Sequence, residues 1–314
     1  MTRLGWYDLI DRFAVGGVAE IYRAKDTRSG EIVVIKRMRS DRPLDPEMHF
    51  GFLREMHVAL KAKHKNLIRG YELSSHANLE YGVMEYVDGQ DLESILVRAR
   101  AQKINVPFDF ATFIASEILD GMEFAQGITD SRGELLGLVH RDLAPKNIFI
   151  RYDGQVRVGD FGLSLASRQE LAEEVVGTPG YLSPEQARGE QLDVRSDLFA
   201  IGCILYELAH GMRAFDVVGK NDNEMLKMHA GAKHKPISKE IPERLALVIE
   251  TSLAKNRDDR YPSALEMRKA LRRTEHPPDD GLAPLGIATL VRRLFDEEFK
   301  ATRLPGNPLP FLSS

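Results

Sequence analysis

The sequence predicts an α+β chain in two lobes: a small antiparallel β-sheet lobe carrying one helix, then a larger, mainly helical lobe. Two observations lead there. Residues up to about 87 read as short β-type runs broken by glycine and polar turns, and from about 92 onward helical patterns dominate. At 314 residues and 43% hydrophobic content, the chain can also bury more than one compact unit. The expected division is 1–87 for the first lobe, 88–272 for the second, and 273–314 for a linker with an amphipathic tail.

In order, Tyr7 to Phe13 and Ala19 to Ala24 are β-type runs separated by Gly16-Gly17, and Glu31 to Arg37 is a third, dense in β-branched residues. Phe50 to Lys63 has helical periodicity, and Leu79 to Val87 returns to strand character before Asp88-Gly89 breaks it. Helices are predicted at Phe108 to Gln126, Glu185 to Ala187, Ser196 to Ala209, Asn223 to Ala230, Pro242 to Ala254 and Ser263 to Leu271. The Ser196 to Ala209 stretch is apolar almost all round, which marks it as the buried axis of the larger lobe. Pro277-Pro278 with Asp279-Asp280 reads as a linker. Beyond it, Ile287, Leu290, Val291, Leu294, Phe295 and Phe299 share one helical face. That stripe either packs back on the larger lobe or offers a regulatory partner a docking surface.

A formal net charge of -4 excludes the basic footprint of a nucleic-acid binder. The single cysteine, Cys203, rules out a disulfide within the chain and sits where a buried structural thiol is expected. The N-terminus lacks the apolar core of a signal peptide, and the most apolar stretch, Leu198 to Ala209, is too short to cross a bilayer and contains Glu207. The expectation is a cytoplasmic protein with no membrane segment.

Residues 140–147 read His-Arg-Asp-Leu-Ala-Pro-Lys-Asn, and thirteen residues after that Asn comes Asp160-Phe161-Gly162. Asp142, Asn147 and Asp160 are three polar groups with separate jobs. One accepts a proton from an attacking hydroxyl, and two hold divalent cations against a nucleotide's phosphates. Lys36 shares a strand face with Ile32 and Val34, so it either snorkels at the strand end or is held inside by a partner. Glu55 falls within the apolar stripe Phe52, Met56, Ala59 and Leu60, where a carboxylate is costly unless paired. Lys36 is its natural partner.

With these strings the chain resembles the eukaryotic-type (Hanks-type) protein kinase family over roughly residues 7 to 272, in style nearest its bacterial serine/threonine members. The resemblance implies a two-lobed kinase fold with ATP and Mg2+ (or Mn2+) between the lobes. It implies Asp142 as proton acceptor, Asn147 and Asp160 as metal ligands, and Lys36, oriented by Glu55, on the α- and β-phosphates. The nucleotide loop would be Ala14, Val15, Gly16 and Gly17, which keeps only the central glycine of the family's three. On its own, Gly-Gly between two strands is more often a plain hairpin turn. Met84, Glu85 and Val87 correspond to the hinge, and Ile21, Val34 and Phe149 to the side chains that sandwich adenine. Ala144 stands where serine/threonine kinases usually carry a lysine, and Lys146 is the candidate to replace it. The segment Gly177 to Glu185 resembles the substrate-docking loop, in which Thr178 favours serine/threonine substrates. Asp197 corresponds to the aspartate that braces the catalytic loop, and Arg260 to the arginine paired with Glu185.

The implied activity is ATP- and Mg-dependent phosphoryl transfer to serine or threonine hydroxyls of a protein substrate. The altered glycine loop and Ala144 motivate an alternative, a catalytically weak pseudokinase acting as a scaffold. Retention of Lys36, Glu55, Asp142, Asn147 and Asp160 argues against it. A small-molecule kinase is a further alternative, opposed by the polypeptide-docking segment. In related kinases an arginine placed like Arg141 awaits an activation-segment phosphate. Here the only hydroxyls between Phe161 and Gly177 are Ser164 and Ser167, and Glu170, Glu173 and Glu174 either supply built-in negative charge instead or form a plain solvated acidic loop.

Overall fold

A computed structural model describes residues 3–39, 41, 45–77, 79–161, 177–279 and 281–303. The first lobe is a six-stranded antiparallel sheet made by β1 (Arg3–Leu4), β2 (Tyr7–Val15), β3 (Ala19–Asp26), β4 (Ile32–Met38), β5 (Gly70–His76) and β6 (Leu79–Glu85), in the order β1-β2-β3-β4-β6-β5. Alternation along β4 sorts its side chains. Val33 and Ile35 join Leu4, Tyr7, Leu9, Ala24, Tyr81 and Val83 in one buried cluster, and Val34 and Lys36 line a cavity on the other face.

Between β4 and β5 runs α1 (Pro46–Lys61). It begins four residues before the apolar periodicity does, because Asp45 caps it by accepting the Glu47 N–H at 2.8 Å and Pro46 suits the first helical turn. Phe52 and Met56 pack with Ala19 and Met38. Helix and sheet approach so closely that a Cβ on Gly82 would lie 2.0 Å from the Met56 sulfur, so a larger residue there would have to displace the Met56 side chain.

The second lobe starts with β7 (Gly89–Asp91), α2 (Leu92–Ala101) and α3 (Phe108–Gln126). β8 (Ile148–Arg151) and β9 (Val156–Val158) complete a three-stranded sheet with β7. α4 (Pro184–Ala187), α5 (Val194–His210), α6 (Asp222–Ala230), α7 (Glu243–Ser252) and α8 (Ala264–Leu271) follow. Every residue of α5 from Ser196 to Leu208 is buried, so it is the axis of this lobe. Cys203 is among them, and burial pushes its thiol well above the usual range, which makes it structural. The tail forms α9 (Ala283–Leu294) and α10 (Asp296–Ala301). Ile287, Val291, Leu294 and Phe295 are buried in the main core, with Leu290 and Phe299 packed against it. The apolar face of the tail is therefore covered within this chain. No helix among the described residues is long and apolar enough to cross a membrane.

Candidate active site

The site lies between the lobes, and its first element is a buried ion pair. β4 brings Lys36 and α1 brings Glu55 to 2.5 Å, with Asp160 at 3.6 Å from the same ammonium. Burial works against the lysine's charge, but Glu55 and Asp160 outweigh it and hold the ammonium above its ordinary range. Burial also pushes the Glu55 carboxyl up, with Lys36 pulling the other way. The consequence is a lysine that stays protonated beside the groove.

The loop of residues 140–147 is held from below. Asp197, near the start of α5, accepts the backbone N–H groups of His140 at 2.8 Å and Arg141 at 3.0 Å. Burial raises this carboxyl, while His140 and these hydrogen bonds oppose the shift. His140 is wholly buried, lies 2.9 Å from the Gly159 carbonyl through Nε2, and tilts its ring against Phe161. Arg141 and Asp160 both have positive φ, +70° and +61°. For non-glycine residues that is a strained conformation, costing on the order of 1–3 kcal/mol, of the kind that clusters at functional sites. Asn147 Nδ2 donates to the Asp142 carbonyl at 2.8 Å and to its carboxylate at 3.2 Å. Lys146 pairs with the same carboxylate at 3.0 Å, and the Thr178 hydroxyl donates to its other oxygen. Ala144 is fully buried, so a cation two residues after Asp142 would have to leave its present packing, whereas Lys146 already reaches the carboxylate.

Two cavities meet at Lys36, Glu55, Asp160 and Ile21. One, of about 270 Å³, is lined by Val34, Met84, Glu85, Val87, Asn147 and Phe149, together with Phe13 and Ile68, which the sequence did not single out. Its apolar walls and few polar groups suit a planar base. The other, of about 470 Å³, runs under Gly16, Gly17, Val18 and Ala19 and reaches Asp142 and Asp160. The side chains of Ala14 and Val15 line neither. They sit in the ladder opposite Ile21 and Glu20, and Val15 is half exposed, so the loop side of the site starts at Gly16. Among the described residues no group of three His, Cys, Asp or Glu side chains could hold a metal by itself. Asp160 and Asn147 fit a cation whose remaining ligands are phosphate oxygens and water, the habit of Mg2+.

Toward the substrate side, Gln186 Nε2 donates to the Arg141 carbonyl at 2.7 Å, which ties α4 to the catalytic loop. Ser183 has a local job. It caps α4 reciprocally with Gln186, each accepting a hydrogen bond from the other's backbone. Glu185 and Arg260 form a fully buried two-pronged pair at 2.7 and 2.8 Å, and Ser196 adds a third bond to Glu185 at 2.7 Å. Burial favours the neutral acid, but Arg260 dominates and holds Glu185 below the carboxylate range. Two further supports escaped the sequence reading. Tyr181 donates its hydroxyl to buried Glu207, and His229 Nε2 accepts the Gly180 N–H at 3.1 Å. Burial lowers His229 to about 4, so it accepts as a neutral ring. Each lies far along the chain from its partner, and no local pattern points to it. Gly162, Ser164, Ser167, Glu170, Glu173 and Glu174 lie outside the described residues.

Comparison with known proteins agrees with this geometry. Residues 7–271 match the model of the protein kinase domain. The chain is 34% identical over 313 residues to the tyrosine-protein kinase MasK of Myxococcus xanthus, covering 96% of this chain and 48% of the relative. It is 35% identical over 276 residues to a probable serine/threonine-protein kinase of Streptomyces coelicolor, covering 84% and 39%. Against the serine/threonine-protein kinase PknB of Mycobacterium leprae it is 33% identical over 286 residues, covering 87% and 44%. The chain thus spans less than half the length of each of these relatives.

Proposed function

This chain belongs to the protein kinase family, and we propose that it transfers the γ-phosphoryl group of ATP, with Mg2+ or Mn2+, to serine or threonine hydroxyls of a protein substrate. The observation that carries the reading is the meeting of a protonated Lys36, 3.6 Å from Asp160, with an Asp142 whose carboxylate is fixed by Asn147 and Lys146 in the same cleft. Lys36 binds and orients the α- and β-phosphates, and Glu55 keeps it aimed. Asp160 and Asn147 hold the cation, which supplies charge neutralisation at the phosphates. Asp142 accepts the proton of the attacking hydroxyl, and Lys146 adds positive charge beside the transferring group. The reaction belongs where ATP is plentiful, in the cytoplasm.

The serine or threonine acceptor follows from the family resemblance of the Thr178 segment, and the Thr178 hydroxyl donates to the Asp142 carboxylate. A tyrosine acceptor is the second reading, favoured by the cation at position 146 in place of 144 and by the likeness to MasK. The test is to incubate the full chain with labelled ATP, Mg2+ and a generic protein acceptor beside Asp142→Asn, then identify the labelled amino acid. The expected result is phosphoserine and phosphothreonine, absent with Asp142→Asn. Label on tyrosine alone selects the second reading, and no transfer by the wild type leaves the scaffold alternative.

A further inference from the structure

The tail lies beyond the 7–271 span of the family model, yet its described residues reach the hinge of the nucleotide cavity at Arg303. Tyr152, which follows β8, is where the two meet. Its N–H donates to the Asp88 carbonyl at 3.0 Å, its carbonyl accepts from Arg292 Nε at 2.7 Å, and its hydroxyl accepts from Gln90 at 2.8 Å. Its ring centroid lies 5.0 Å from that of Phe299 on α10. The guanidinium groups of Arg292 and Arg303 lie 5.1 and 5.0 Å from the Phe299 centroid, within cation–π range. Arg303 also donates to the Asp88 carboxylate at 2.9 Å. The backbones touch as well. A Cβ on Gly154, at φ +87°, would sit 1.9 Å from the Pro284 carbonyl oxygen.

Both anchors adjoin the nucleotide cavity. Asp88 follows Val87, which lines it, and Tyr152 follows β8, which carries Phe149 into it. Without Arg303, the Asp88 carboxylate would lose the cation that pairs with it, and its Oδ1 is already buried with no hydrogen-bond partner among the described residues. We propose that residues 283–303 brace the nucleotide site: Phe299 and Arg303 are positioning residues that hold the hinge and β8 at the spacing a bound nucleotide needs. The inference rests on the kinase reading for its ligand but not for its geometry.

The test uses full-length Phe299→Ala, Arg303→Glu and the charge exchange Asp88→Lys with Arg303→Glu. A fluorescent ATP analogue is titrated into each, kcat is measured at saturating ATP, and amide hydrogen exchange is followed at residues 84–90 without nucleotide. Losing one cation–π contact or partly exposed ion pair should raise Kd about 3- to 10-fold, with kcat within about twofold of wild type. Exchange at 84–90 should quicken while that of α5 does not, and the charge exchange should recover part of the affinity. An unchanged Kd with unchanged exchange, a uniform loss of protection across the larger lobe, or a double variant no better than Arg303→Glu overturns the brace. If the wild type binds no nucleotide, the kinase reading fails and hydrogen exchange at the hinge alone decides the brace.

Discussion

Two buried carboxylates, Glu55 and Glu185, each pair with a cation, but their surroundings differ. Glu185 and Arg260 are almost completely buried, and Arg260 spends its remaining donors on the carbonyls of Ala254, Lys255 and Arg195. Ser196 completes the carboxylate's shell. Every polar atom at that junction has a fixed purpose in holding α4 to α5 and to the segment after α7. The Lys36–Glu55 pair sits at the edge of two cavities, with the lysine side chain 17% exposed and a second carboxylate, Asp160, at 3.6 Å. With Glu55 and Asp160 as partners, the three-donor ammonium keeps a donor for a ligand. A buried pair adds little net stability when desolvation is counted, yet removing one partner is costly. The same chemistry thus serves as framework in the larger lobe and, under the proposed function, as a poised binding group in the smaller one.

That contrast can be broken by exchanging the readouts. Lys36→Met should lower phosphoryl transfer by roughly 1000-fold or more, because it removes a charge from the transition state; the Glu55 carboxyl left at the cavity edge, already pushed up by burial, can take up a proton, so the denaturation midpoint should fall less than for Arg260→Ala. A variant that unfolds instead would put Lys36 on the framework side. Arg260→Ala should do the reverse and lose about 3–5 kcal/mol of stability, since it strands the buried Glu185. Urea titration checks this, and a loss below about 1 kcal/mol would show a pair worth no more than a surface bridge. Lys146 stands between the two cases, being half exposed yet bonded to Asp142. Lys146→Ala should reduce kcat by roughly 10- to 1000-fold, the range for losing one charge contact, with stability nearly unchanged. Wild-type kcat would mean that the pair with Asp142 is a resting contact only.

Much of this could be read from the chain because the relevant physics is local or compulsory. Asp142 and Asn147 come just before the β8–β9 hairpin and Asp160 just after it, so one short unit of chain carries all three. Glu55 pointed to Lys36 because a carboxylate on an apolar face needs a cation. Elements that lacked such a signal were missed. β5 is an edge strand with most residues partly or fully exposed, so it shows no alternation to read. β8 and β9 are four and three residues long, too short for a period. α2 does carry a pattern, with Leu92, Ile95, Leu96 and Ala99 on its buried face and Asp91 as its cap, so its helical spacing was legible in the chain.

By itself, then, the sequence determined the two-lobed α+β class, the family likeness, the charge chemistry of the cleft and the amphipathic stripe of the tail. Each follows from residue type and spacing along one segment. Only the tertiary structure decided what covers that stripe, which atoms hold Asp142, and that Arg303 meets Asp88 across 215 residues of chain. Periodicity shows that a face must be buried, but the partner depends on how distant segments pack. An apolar face is equally satisfied by any complementary surface, so its own residues do not say which one it meets.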